Sequence, residues 1–209
     1  MKYPIVCFEG PSSVGKTTLC QVLSDNYQVV PEVNLLFERP KNESHYWYHE
    51  KQVERFAKCQ QAPRTSILDG DIFQPIWYNW VCKYPTNFLP KNRTHQFYKT
   101  KVLEKKLAFP DLYLVFQADE KELRARKKND KTRKRRNFEK HLAIIQPLQA
   151  YYRFLQNETD INLHFIQYND LESTKSKVLA YLNSIKIQQL DHLANFLAVE
   201  NWINKNELL

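Results

Sequence analysis

The sequence predicts an α/β fold in which a five-stranded parallel sheet carries helices on both faces. Three observations lead there. Short segments that are apolar almost throughout alternate with long stretches of helical periodicity, as in sheets buried on both sides. A turn holding Gly10 and Gly15 stands between the first apolar segment and the first helical one. Glycine is otherwise nearly absent: the 209 residues contain 3, where ordinary usage would give about 15. A chain that avoids glycine yet keeps two in one turn needs them there.

Residues 3–9 (YPIVCFE) read as the first strand, followed by the glycine turn and a helix over 16–25. A short strand at 27–31 and a helix at 43–61 follow. Residues 65–69 (TSILD) form a third strand, closed by Asp69-Gly70-Asp71, and helices are expected over 73–83 and 94–107. The fourth and fifth strands fall at 111–117 and 162–167. Between them Phe138, Leu142, Ile145, Leu148, Tyr152 and Leu155 recur in steps of three and four, one face of a helix with a kink expected at Pro147. Two amphipathic helices, 173–185 and 191–203, close the chain.

Hydrophobic content of 43% and charged content of 26% exclude a disordered or fibrous chain. No apolar run approaches the roughly 18 residues of a membrane span, and the N-terminal apolar stretch is too short for a signal peptide. Cys7, Cys20, Cys59 and Cys82 show no metal-type spacing, and a cytoplasmic chain with reduced thiols is expected. The net charge of +8 is concentrated: residues 121–140 hold eleven Lys and Arg against three acids, and the remaining charges cancel. Such a local excess marks an anion site more than a sticky surface.

Gly10-Pro-Ser-Ser-Val-Gly15-Lys16-Thr17 fits the phosphate-binding pattern G-x-x-x-x-G-K-[ST] in full, in its required place between a strand and a helix. Its two glycines let the backbone amides of Gly10, Ser12, Ser13, Val14, Gly15, Lys16, Thr17 and Thr18 curl around an anion. Lys16 adds a point charge on the terminal phosphates, and the Thr17 hydroxyl can ligate Mg²⁺. Carboxylates at the C-terminal ends of parallel strands fall in the crevice where such sheets bind ligands. Glu32 ends the second strand; Asp69 and Asp71 end the third. Glu32 is the candidate base and Asp69 the candidate magnesium-shell residue with Thr17.

The string Phe8-Glu9-Gly10 through Gly15-Lys16-Thr17-Thr18-Leu19 resembles the start of thymidylate kinases and the related deoxynucleoside kinases, and in weaker form the likeness runs to about residue 170. It implies a P-loop kinase fold in a single domain, 1–209, with a helical lid at about 121–137 and an extra C-terminal helix in an extension at about 187–209. It further implies ATP and Mg²⁺ as cofactors, and a nucleoside or nucleoside monophosphate as the favoured small-molecule acceptor. In the family a strand-end carboxylate is the base or stands next to it; the family's Glu-Pro-Val is permuted here to Pro31-Glu32-Val33. Phe116 to Asp119 followed by Leu123, Arg124 and Arg126 resembles the approach to the lid, whose arginines neutralise the transferring phosphoryl; Arg124 and Arg133 are the candidates. The resemblance also puts aromatics around the acceptor: Phe37, Tyr46, Trp47, Tyr48, Phe56, Phe73, Trp77, Tyr78 and Trp80 are available, with Gln52 and Gln74 to read a base edge.

Two departures bear on the acceptor. Asp69-Gly70-Asp71 stands where the family has Asp-Arg-Tyr or Glu-Arg-Ser, and Ser12-Ser13 where thymidylate kinases have an aspartate. Both speak against thymidylate as the acceptor, and the first leans toward an acceptor without phosphate. The same scaffold admits a non-nucleoside metabolite or an antibiotic as acceptor. A nucleotide-dependent nucleic-acid-binding protein using the 121–140 cluster is a second class, and a nucleotide-binding regulator without turnover a third. The C-terminal helices serve either as a homodimer surface or as a cover for the sheet.

Overall fold

The computed structural model describes residues 2–81, 89–130 and 137–206. Five parallel strands, β1 (Ile5–Glu9), β2 (Gln28–Val30), β3 (Ser66–Asp69), β4 (Leu112–Gln117) and β5 (Leu163–Gln167), form one sheet in the order β2-β3-β1-β4-β5. The chain leaves β1 toward one edge and, after β3, crosses to the other side of β1. That reversal opens a crevice beyond the C-terminal end of β1, between β3 and β4.

Alternation along the strands divides the interior in two. Ile5, Cys7, Leu68, Tyr113 and Val115 face a large core completed by Phe56, Phe73, Trp77, Tyr98, Tyr151 and Phe196. Val6, Phe8, Ile67, Leu114 and Phe116 face a smaller one with Leu19, Leu23, Leu123 and Val178. The first core is roofed by α3 (Trp47–Gln60), α4 (Gln74–Val81), α5 (Lys91–Leu103), α8 (Ile145–Glu158) and α10 (His192–Lys205). The second is covered by α1 (Lys16–Leu23), α6 (Glu120–Asn129), α7 (Phe138–Ala143) and α9 (Leu171–Ser184). A four-residue helix, α2 (Val33–Leu36), follows β2.

Several boundaries moved. The helix expected from residue 43 begins at Trp47. The one expected over 94–107 spans Lys91–Leu103: Pro90 starts it, and Lys105, at φ 57, turns the chain out. The expected kink at Pro147 is instead a break at Ile144. Pro147 sits in the first turn of α8, where a missing N–H costs nothing. The C-terminal helix packs on the helical layer over the large core: Phe196, Val199 and Ile203 are buried with Phe73 and Phe109, and Trp202 stacks on Phe154 of α8. Among the described residues no helix is long and apolar enough to cross a membrane.

Candidate active site

The loop after β1 shows why its glycines are needed. Gly10 and Gly15 take φ values of 143° and 115°, a region closed to most side chains. A Cβ on Gly10 would lie 2.5 Å from the Phe116 carbonyl oxygen, and one on Gly15 2.6 Å from the Tyr168 ring. Ser13 also has positive φ, at 70°, and its buried hydroxyl lacks a hydrogen-bond partner. The Lys16 ammonium folds back to donate to the Gly10 carbonyl at 2.6 Å and lies 4.0 Å from Glu9. Ser12 and Thr18 line the same cavity, while Val14 is anchored in the smaller core.

Across the crevice the Thr17 hydroxyl donates to Asp69 Oδ2 at 2.8 Å, and Asp69 Oδ1 is buried with no hydrogen-bond partner. Burial pushes the Asp69 carboxyl above its ordinary range, while nearby Lys16 opposes the shift. An oxygen-only pair with one orphaned carboxylate oxygen suits a hard cation such as Mg²⁺, which takes the rest of its shell from water and phosphate. No group of three or more His, Cys, Asp or Glu side chains among the described residues forms a metal cage of its own. Asp71 turns away from the crevice. Its carboxylate accepts from the Phe73 amide and the Tyr113 and Tyr152 hydroxyls at 3.0–3.1 Å, deep in the large core.

Glu32 follows β2 at the N-terminus of α2 without using its side chain as a cap. Its Cγ lies 3.6 Å from where a Cβ on Gly70 would sit, ordinary contact distance, so Glu32 stands directly beside the turn that ends β3. Glu32 and the phosphate loop line one cavity of about 640 Å³, together with Arg39, Tyr48, His49, Gln74, Trp77, Tyr78 and His141. In it the Tyr48 hydroxyl donates to Gln74 Oε1 at 2.7 Å, and the Tyr78 hydroxyl meets His141 Nε2 at 3.1 Å. Gln52, the other expected reader, is fully buried, its Oε1 held by Arg55 at 2.6 Å. Of the nine aromatics, Tyr48, Trp77 and Tyr78 line the cavity. Phe56, Phe73 and Trp80 are core, with the Trp80 indole donating to the Asn206 carbonyl.

Of the arginines, Arg124 is exposed and paired with Glu120 and Glu139 at 2.8 and 3.0 Å. Arg126, one position on along the chain from Ala125, is the one that reaches the loop. It donates to the Val14 carbonyl at 2.8 Å and to the Tyr168 and Asn169 carbonyls at 2.9 and 3.0 Å, its guanidinium lying over the Tyr168 ring. Arg133 lies outside the described residues, as do Lys134, Arg135 and Arg136.

Two residues that sequence reasoning passed over stand at the centre of the site. Glu9, the last residue of β1, accepts from the Gly10 amide at 2.7 Å and the Asp71 amide at 2.9 Å, and burial raises its carboxyl to about 7 against the pull of Lys16. Arg55, on α3, is 1% exposed and bonded to the ends of β2 and β3. Each had a signal: an acid closing an apolar strand, and a cation between Gln52 and Cys59 on a buried helix stripe.

No protein-family model and no curated protein sequence matches the chain. Solved structures do. Deoxyadenosine kinase from M. mycoides with bound dATP superimposes with a TM-score of 0.59 at 18% identity, covering 86% of this chain and 99% of that one. The same enzyme with its products bound gives 0.56 at 15%, over 87% and 100%. Thymidylate kinase from Candida albicans gives 0.58 at 17%, over 87% and 91%. The five-stranded parallel sheet with its phosphate loop is thus the P-loop fold that nucleoside and nucleotide kinases share.

Proposed function

We propose that this chain is an ATP-dependent kinase that transfers the γ-phosphoryl group to a small-molecule acceptor, most favourably a nucleoside or nucleoside monophosphate. The observation that carries the reading is one continuous cavity. Its lining runs from the phosphate loop past Glu32 and Asp69 to Tyr48, Gln74, Trp77 and Tyr78, so a triphosphate tail and a flat, hydroxyl-bearing acceptor fit end to end. The resemblance of the loop sequence and the likeness to the two kinases support the acceptor class.

In this reading the loop amides and Lys16 hold the β- and γ-phosphates, Lys16 leaving the Gly10 carbonyl to do so. Glu32 accepts the proton of the acceptor hydroxyl as its oxygen bonds to the γ-phosphorus; the bond to the β–γ bridging oxygen breaks, and ADP leaves with that electron pair. Thr17 and Asp69 would hold Mg²⁺, which when bound neutralises charge on the β- and γ-oxygens. Arg126 fixes the loop from outside, and Arg124 stands on the same helix, in the segment of the single domain that the sequence reading takes as a lid. The free, buried Cys7, Cys20 and Cys59 suit a reducing cytoplasm.

The test is ADP release with Mg-ATP over a panel of nucleosides, nucleoside monophosphates and unrelated hydroxyl metabolites, with Lys16→Ala as control. Stimulation by one nucleoside or nucleotide, lost in the control, is the expected outcome. Bound ATP with no stimulation by any member of the panel would remove the acceptor class, and tight, steeply salt-dependent binding to single-stranded DNA would replace it with the nucleic-acid reading.

A further inference from the structure

Arg55 is the most deeply buried cation among the described residues, yet it lines the site without a carboxylate partner. Its side chain leaves α3 and ends under the tips of two strands. Nε donates to the Pro31 carbonyl at 2.8 Å, and Nη2 to the carbonyls of Asp69 and Gly70 at 2.8 and 3.0 Å, with Val30 at 3.4 Å. Nη1 is held by Gln52 Oε1 at 2.6 Å. Every one of these acceptors is an uncharged oxygen.

Burying a permanent charge is expensive, and packing alone would be served by an apolar residue on this helix stripe. What a planar guanidinium can do, and an apolar side chain cannot, is collect backbone carbonyls from two chain segments and fix their relation. The segments it joins are the ones that matter here. Pro31 directly precedes Glu32, and the Asp69 carbonyl belongs to the residue whose carboxylate meets Thr17. Gly70 completes the arrangement: at φ 88°, a backbone conformation that side chains rarely adopt, its carbonyl accepts from Arg55.

We propose that Arg55 is a positioning residue that sets Glu32 and Asp69 relative to each other, and so acts on the transfer step and on magnesium retention while leaving metal-free nucleotide binding to the loop alone. This rests on reading the cavity as a kinase site. A misplacement of about 1 Å between such groups costs on the order of 100-fold in rate.

The test compares wild type, Arg55→Lys and Arg55→Gln in two ways: calorimetric titration with ADP, with and without Mg²⁺, and steady-state transfer to the best acceptor. For Arg55→Gln we expect metal-free ADP affinity within about twofold of wild type and loss of the tightening that Mg²⁺ gives. We also expect kcat to fall on the order of 100-fold with little change in acceptor KM, and partial recovery in Arg55→Lys, which can bond one strand tip but not both. Wild-type kcat and an unchanged Mg²⁺ effect would overturn the proposal. So would metal-free ADP affinity, KM and kcat all collapsing together, the mark of a merely structural residue. Should Arg55→Gln fail to fold, Arg55→Lys decides alone, since it keeps the charge and reaches one strand tip but not both; a drop in kcat of about tenfold with unaltered metal-free ADP binding supports the proposal, and wild-type kcat overturns it. If the wild type transfers phosphate to nothing in the panel, the kinase reading fails, and the Mg²⁺-dependent ADP titration alone still decides the role of Arg55.

Discussion

The two ends of the cavity are built in different ways. The phosphate-loop end is a run of eight consecutive residues whose working parts are backbone amides, so its shape is written in two glycines with positive φ and one lysine. The aromatic end is assembled from side chains on β2's exit, α3, α4 and α7, each brought in by packing rather than by local sequence. Backbone-built sites tolerate few residue types and therefore show in a single sequence. Side-chain-built sites depend on which face of each helix turns inward, and that is decided by the whole core.

If the division is real, the two ends should fail separately. Glu32→Gln keeps size and removes the base, so transfer should fall by about 10²–10⁴-fold while ATP affinity stays. Equal losses in turnover and in ATP affinity would show that the ends do not separate, and unchanged turnover would take Glu32 out of the base role. Gly15→Ala tests the other end. A methyl 2.6 Å from the Tyr168 ring on a residue at φ 115° must displace either the ring or the loop. Nucleotide affinity should drop by about 30–100-fold, and adding Tyr168→Ala should restore the part due to contact but not the part due to φ. Full restoration would mean that backbone conformation at Gly15 carries no cost.

The same contrast accounts for what could be read beforehand. The strands were legible because buried parallel strands are continuous apolar runs, and the phosphate loop because its pattern is local. The acid at residue 69 was legible as a strand end, yet Asp71, identical in type and two residues on, points into the core to satisfy Tyr113 and Tyr152. Strand alternation would put both on one face; the turn at Gly70, with φ 88°, ends the alternation and sends Asp71 the other way. Arg124 and Arg126 lie on one basic helix, and only packing against Tyr168 separates the residue that touches the loop from the one that pairs with Glu120. Glu9 and Arg55 escaped because charged residues are read as surface, whereas both are buried and bonded to backbone.

Glu9 complicates the comparison, since it brings a titratable side chain to the backbone-built end. Its carboxyl is raised from 4.5 to about 7, chiefly by burial. The native state therefore binds a proton that the unfolded chain has released, so this group stabilises the fold below pH 4.5 and the contribution is lost as pH rises to about 7. The loss should be on the order of 2–3 kcal/mol. Urea melts of wild type and Glu9→Gln at pH 5 and pH 8 read it directly: the wild type should lose more stability over that interval than the variant, other titrations cancelling in the difference. Parallel pH dependences would mean that Glu9 is not the group titrating there, and that the loop end is stabilised by backbone geometry alone.

The smallest effect is expected at the aromatic end. The Tyr48 hydroxyl donates to Gln74 Oε1, which fixes the amide so that its N–H₂ group is the part left to offer a ligand. Tyr48→Phe removes one hydroxyl and leaves the ring, so the cavity keeps its shape while the Gln74 amide loses its orientation. A neutral hydrogen bond of this kind is worth about 1 kcal/mol, or roughly fivefold. The whole of it should appear in acceptor KM, with kcat and ATP affinity unmoved, because the lost bond joins two side chains at the acceptor end of the cavity. A matched rise for acceptors that present a lone pair and for those that do not would show that Gln74 reads nothing. A rise confined to the first group would identify Gln74 as a donor that selects among acceptors, and would place specificity at the side-chain-built end of the cavity.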